Sequence, residues 1–118
     1  MNVFDSSTNF MRGKSSNGRF ETPFRPDKWG GVFTEGSAWH YTWSVLHDPH
    51  GLINLMGGKE NYIKKMDMIF TSEPTSDYSY YGFKIHEILE MELAGMGQYA
   101  HGNQPIQHAI YLYNYCLL

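Results

Sequence analysis

The sequence predicts a mostly α chain with an irregular N-terminal third. Three observations carry this reading. Apolar residues recur at helical spacing only after Gly36. Asp48-Pro49 and Gly57-Gly58 punctuate the helical part as a start and a stop. Residues 1–33, by contrast, are broken by Gly13, Gly18, Pro23, Pro26, Gly30 and Gly31, with Ser15-Ser16-Asn17-Gly18 as a strong turn signal. The 118 residues have the length of one ordinary domain, which buries roughly two-thirds of its unfolded surface.

In chain order, 1–33 reads as irregular or short extended structure. Ser37 can cap a helix over 37–47. Asp48 as cap and Pro49 in the first turn begin a short helix to 56. The clearest amphipathic helix is 59–70. Tyr62, Ile63, Met66, Ile69 and Phe70 share one face, and Lys59, Lys64, Lys65 and Asp67 face water. A polar, Tyr-rich loop containing Pro74 follows over 71–82. Residues 83–93 are helical in pattern, stopped by Gly95 and Gly97, and 105–115 forms a last, aromatic-rich helix. Such long loops in a small chain are often functional.

Bulk properties exclude some classes. The formal charge is −3 and no Lys/Arg run exists, so there is no electrostatic case for nucleic acid or an anionic membrane. No window approaches the 18 apolar residues of a membrane span. Residues 1–10 lack the basic start and apolar run of a signal peptide, which reads as a soluble protein or a piece of one. Nine Tyr, seven Phe and three Trp suit a carbohydrate surface, although a small aromatic core uses the same residues. Cys116 is alone, so no internal disulfide forms; it has no neighbouring base and reads as structural.

Chemistry concentrates in Thr34-Glu35-Gly36-Ser37-Ala38-Trp39-His40-Tyr41-Thr42-Trp43. Aromatic faces bind the apolar faces of sugars, and a carboxyl group beside them loses water. Desolvation disfavours the anion, so the Glu35 pKa is expected to rise. A protonated Glu35 can donate to a glycosidic oxygen. The plainer reading is a surface Glu in a turn before a helix whose Trp and Tyr residues form core. His86-Glu87-Ile88-Leu89-Glu90 resembles half of a His-Glu-x-x-His metal helix, with His101 as a distant third ligand; a helix start with solvated charges is the simpler account. His47-Asp48-x-His50 is a second possible metal cluster, better explained as a turn with Asp48 as cap. Gln98, His101 and Asn103 lie in an amide-rich loop between helices. They suit sugar hydroxyls and equally suit a loop that satisfies its own backbone.

Taken together, WGGVFTEGSAWHYTWSVLHDPHGLINLMGGKE (29–60), SYYGFKIHEILEM (79–91) and GMGQYAHGNQPIQHAIYLYNY (95–115) resemble glycoside hydrolase family 92, the calcium-dependent exo-acting α-mannosidases. NVFDSSTNFMRG near the N-terminus also fits. The resemblance covers nearly the whole chain. It implies a β-sandwich packed on an (α/α)6 barrel, of which residues 1–118 would be an incomplete segment lacking the sandwich and the C-terminal part of the barrel. It implies an inverting mechanism with Glu35 as general acid, and His86 and Glu87 contacting the leaving-group sugar in members that cleave α-1,2 linkages. Trp39, Gln98, His101 and Asn103 are the further expected substrate contacts. Calcium is expected to bind the mannose through O2 and O3, with ligands that are not assigned in this chain. The expected partners are a mannose-containing glycan and the remaining parts of the same enzyme, in the periplasm, at the cell surface or secreted.

Two departures follow. The family's general base is an Asp in a downstream acidic motif, and this chain ends at Leu118 before any such motif. Asp48 and Glu60 are carboxylates outside it. Gln104 stands where many members have Glu. The expectation is therefore the acid half of a site, inactive by itself. Its rivals are a non-catalytic relic and a small metallohydrolase built on His86, Glu87, Glu90 and His101.

Overall fold

The computed structural model describes residues 2–117. It begins with a small antiparallel hairpin. Strand β1, Phe4–Asp5, pairs with β2, Phe10–Met11, placing Phe4 opposite Met11 and Asp5 opposite Phe10. Asp5 shapes the connection: its carboxylate accepts from the Ser7 N–H and hydroxyl and from Arg12 Nη1 at 2.7 Å. The Arg12 guanidinium also lies over the Phe24 ring at 4.4 Å. This region is otherwise irregular, as its Gly and Pro spacing requires.

Helix α1 covers only Ala38–Tyr41, well short of the expected 37–47. Side chains end it. The Thr42 hydroxyl donates back to the Ala38 carbonyl and also accepts the Met11 N–H at 3.0 Å. Such local bonds compete with helix propagation, and β-branched Thr42 and Val45 add little to resist them. The next residues form tight turns, with the Val45 N–H on the Trp43 carbonyl. Helix α2, Pro49–Leu55, starts as expected, with Asp48 Oδ1 accepting from the Gly51 N–H at 2.9 Å. Helix α3, Lys59–Thr71, matches its predicted span and buries Tyr62, Met66 and Ile69 completely.

Lys65 corrects the sequence reading. Expected in water, it is 8% exposed. Its Nζ sits 3.3 Å from the Phe10 ring centroid and 5.0 Å from that of Trp39, and donates to the Thr8 carbonyl. The lysine thus ties α3 to the hairpin, which the helical pattern alone does not reveal.

Helix α4, His86–Ala94, begins three residues later than expected, after the Tyr78–Gly82 turn. Gly95, with φ 65°, ends it. The last predicted helix divides into α5, Gln104–Gln107, and a 3-10 helix, Ala109–Tyr115. His108 at the junction has Nε2 2.8 Å from the Trp43 carbonyl. The 3-10 form places residues three apart on one face, and Ala109 and Leu112 are the buried pair.

Trp29, Trp43, Tyr62, Leu52, Met66, Ile69, Ile88 and Ile106 are among the fully buried core. The body is a slab of 41 × 38 × 21 Å. A slab leaves broad faces, and Leu93 is 86% exposed with Leu89 one turn before it on α4, while Tyr111 on the 3-10 helix is 67% exposed. These are apolar helix faces without a covering layer within the described residues.

The lysine contact generates a prediction. Burial lowers the Lys65 pKa to about 8 from 10.5. Folding therefore releases a proton between about pH 8 and 10.5, and stability climbs with pH across that window; below pH 8 the cost is full. The aromatic faces offset part of it. Lys65→Met is expected to stabilise the chain by about 1 kcal/mol at pH 7, with the gain shrinking toward pH 10, in urea unfolding followed by Trp fluorescence.

Candidate active site

Glu35 lies in the loop between Trp29 and α1. The Gly30 N–H closes this loop by donating to the Gly36 carbonyl at 2.9 Å. Gly36 has φ 71°, and a Cβ there would fall 2.7 Å from His40 Nδ1 and 3.2 Å from Asn103 Nδ2. Backbone conformation and lack of room both require glycine directly after the carboxylate. At the entrance to α1 the Ser37 N–H donates to His40 Nδ1 at 2.9 Å. The imidazole thus takes the place of the Glu or Gln in a capping box.

With Nδ1 accepting, the ring proton is assigned to Nε2, which donates to the Gln98 carbonyl at 3.0 Å. His40 is fully buried and stands edge-on to Trp29 at 4.9 Å. Burial pushes its pKa down to about 4, only partly opposed by the Gln98 bond, so the ring is neutral at pH 7.

Gln98 anchors a second wall, the loop over 98–104. Its N–H donates to the Ile69 carbonyl at 2.6 Å, and its Nε2 donates to the Glu73 and Thr75 carbonyls at 2.8 Å each. The preceding Gly97 has φ 62°, and a Cβ there would strike the Ile69 carbonyl. Asn103 is buried with its amide nitrogen against Gly36. His101 is exposed, with Nδ1 2.9 Å from the Tyr99 hydroxyl.

The first turn of α4 forms the third wall. His86 is largely exposed, Glu87 is half-buried, and His86 Nε2 lies 3.3 Å from Glu87 Oε1. Tyr81, edge-on to Tyr80 at 5.4 Å, precedes this turn. Its pKa is raised first by burial, then by the charge of Glu35, by Tyr80, by Glu87 and by Tyr41. Both carboxylates are thus within electrostatic reach of one phenol. A Cβ on Gly102 would meet Glu90 Oε2, so the 98–104 loop also touches α4. The 98–104 loop therefore meets the Glu35 turn at Gly36 and α4 at Glu90.

Several expectations need correction. Trp39 is 6% exposed, with its ring edge-on to Phe10 at 4.9 Å, so its face serves the core rather than a sugar. Gln98 is 1% exposed and spends its amide donors on backbone carbonyls. Glu35 is exposed, so the desolvating wall expected around it is not built by this chain. Among the described residues no three His, Cys, Asp or Glu side chains gather as metal ligands would, so His86, Glu87, Glu90 and His101 do not form one ligand cluster. Asp48 is a helix cap and His50 stands edge-on to Tyr115 at 5.5 Å.

Sequence reasoning gave no role to Tyr81 or Phe33. Phe33 stacks on Tyr41 at 5.1 Å with a 6° interplanar angle and lies between two clefts. One, of about 470 Å³, is lined by Phe24, Arg25, Lys28 and Asp77; the other, of about 390 Å³, by Val3, Met11, Tyr41 and Val45. Neither includes Glu35. The high Tyr count of 78–81 was the available signal, but a Tyr-rich loop carries no periodicity that assigns a direction to its side chains.

The buried imidazole makes stability sensitive to acid. The His40 pKa lies below that of an unfolded histidine, so folding releases a proton between about pH 6.5 and 4. This contribution is full above pH 6.5 and falls as pH drops through the window, by at most about 3 kcal/mol. Urea unfolding at pH 7 and pH 4.5 is expected to show a smaller pH difference for His40→Phe than for the unsubstituted chain.

Comparison with known proteins completes the description. The profile of the glycosyl hydrolase family 92 catalytic domain matches residues 1–117. A family GH92 inverting mannosidase from Bacteroides thetaiotaomicron VPI-5482 is 54% identical, with a TM-score of 0.72 over 96% of this chain and 15% of that one. A second family GH92 α-mannosidase from Bacteroides thetaiotaomicron is 39% identical, with a TM-score of 0.73 over 98% of this chain and 13% of that one. The structure of that second enzyme in complex with mannoimidazole gives a TM-score of 0.76 at 36% identity, over 98% of this chain and 15% of that one. No curated protein sequence matches. The chain thus spans about one-seventh of the length of these solved structures, and it belongs to glycosyl hydrolase family 92.

Proposed function

We propose that this chain is the acid-bearing part of an α-mannosidase that removes terminal α-linked mannose from glycans, α-1,2 linkages foremost. The observation that carries this reading is the 54% identity to an inverting mannosidase over 96% of this chain, with the 98–104 loop packed against Gly36 beside the carboxylate and against Glu90 of α4. Glu35 donates its proton to the glycosidic oxygen as the bond from that oxygen to the anomeric carbon breaks. A water attacks from the opposite face and inverts the configuration. His86 and Glu87 hold the departing sugar, the exposed His101 lies on the neighbouring loop, and Asn103, buried, supports that loop.

The second carboxylate, which takes the proton of the attacking water, belongs at roughly 6.5–9.5 Å from the acid. We assign it to the downstream acidic motif of the family rather than to this chain. The same reading makes the helices part of an (α/α)6 barrel, whose remainder would cover the exposed faces of α4 and the 3-10 helix and exclude water from Glu35. Calcium enters only through the family resemblance. The described residues offer no group of three acidic or imidazole ligands to hold it.

Two outcomes are expected. The 118-residue chain alone shows no mannosidase turnover, with or without calcium, because general-base assistance worth about 10²–10⁴-fold and the remaining substrate contacts are missing. In a protein that joins this segment to the rest of the catalytic domain, Glu35→Gln abolishes cleavage of a poorly departing alkyl mannoside and spares an activated aryl mannoside, since a good leaving group needs less protonation. Equal losses on both substrates would remove Glu35 from the role of acid. Robust turnover by the 118-residue chain would place the base within it, with Asp48 as one candidate.

A further inference from the structure

We infer that His40 is a positioning residue for the acid, a buried clamp that holds the turn carrying Glu35 against the 98–104 loop. The inference rests on the reading of Glu35 as proton donor. Its geometric basis is separate. One ring nitrogen accepts from the Ser37 backbone and the other donates to the Gln98 backbone, joining segments 58 residues apart. Gly36, which follows the carboxylate directly, has no room for a Cβ beside His40 Nδ1. A shift of the ring is therefore transmitted to the backbone of Glu35.

Packing alone does not call for histidine here. A Phe of similar size would fill the space against Trp29 without burying polar nitrogens. A buried imidazole costs free energy unless both nitrogens are bonded, and here both bonds go to main chain in the two segments that must be in register. The 98–104 loop also carries Asn103 and His101 and touches Glu90 of α4, so the clamp sets the distance between the acid and the wall proposed to meet the sugar. Proton donation to a departing oxygen is steep in distance, and a misplacement of about 1 Å can cost 10²-fold.

The test begins with the 118-residue chain itself, by NMR. In His40→Phe the Ser37 amide is expected to exchange roughly tenfold faster, the change that follows loss of one buried hydrogen bond. The nuclear Overhauser contact between Gly36 and the Asn103 side-chain amide weakens, while amides of α2 and α3 keep their protection. His40→Asn, whose side-chain oxygen can replace Nδ1, restores Ser37 protection but leaves the Gln98 side loose; it decides the matter if His40→Phe does not fold. No change at Ser37 and Asn103 overturns the inference, as does a uniform loss of protection across the chain.

A kinetic measurement follows in the protein that joins this segment to the rest of its catalytic domain. His40→Asn is expected to lower kcat roughly hundredfold on an alkyl mannoside, and far less on an activated aryl mannoside, with KM little changed. Equal losses on the two substrates overturn the positioning role. If Glu35→Gln shows no dependence on the leaving group, the acid assignment fails, while the NMR result still decides whether His40 holds the turn.

Discussion

The main chain of Gln98 is the junction on which the architecture depends. Its N–H donates to the Ile69 carbonyl near the end of α3, its carbonyl accepts the hydrogen bond of His40 Nε2, and its side-chain amide donates to the 73–75 segment. The first helix, the 69–75 stretch and the 98–104 loop thus meet at one buried residue. In a slab only 21 Å thick the apolar core is shallow, and a polar junction supplies direction that hydrophobic burial lacks. Each bond contributes on the order of 1 kcal/mol, but leaving any of these buried groups unpaired costs more. The loops are therefore held in place although they have little secondary structure.

That arrangement explains how a small chain presents a carboxylate without burying it. Glu35 rises from a turn whose base is locked by Gly30, Gly36 and His40, and its side chain stays in water. Rigid support and open exposure suit a group that works against another surface. Two residues before Glu35, Phe33 stacks on Tyr41 and so ties the loop to α1. The solved relatives are about seven times as long as this chain.

Lys65 shows the same economy on the opposite side of the core. Its charge lies on the Phe10 ring, close to Trp39, and fastens the hairpin to α3. A methionine would pack there with less desolvation. What the lysine adds is a bond to the Thr8 carbonyl, which fixes where the hairpin turn sits. Trp39 is thereby committed to the core, one residue before His40, which serves the site. Adjacent residues of one short helix divide between the two tasks because α1 is covered on more than one side.

Local chemistry was legible in the sequence. The Asp48-Pro49 cap, the span of α3 and the irregular first third follow from residue types and their spacing, and the family was legible as a resemblance of whole motifs. Those features are short-range or depend on a motif whose order is preserved. Tertiary contacts decided the rest. Thr42 ends α1 because it bonds Met11, 31 residues away, and Lys65 leaves the solvent face because an aromatic pair waits beside it. Trp39 and His40 read alike as aromatic members of one motif, yet one entered the core and the other became a bridge. A sequence records that a side chain has an apolar face or two hydrogen-bonding nitrogens. Which neighbour satisfies them depends on segments brought together only by the completed fold.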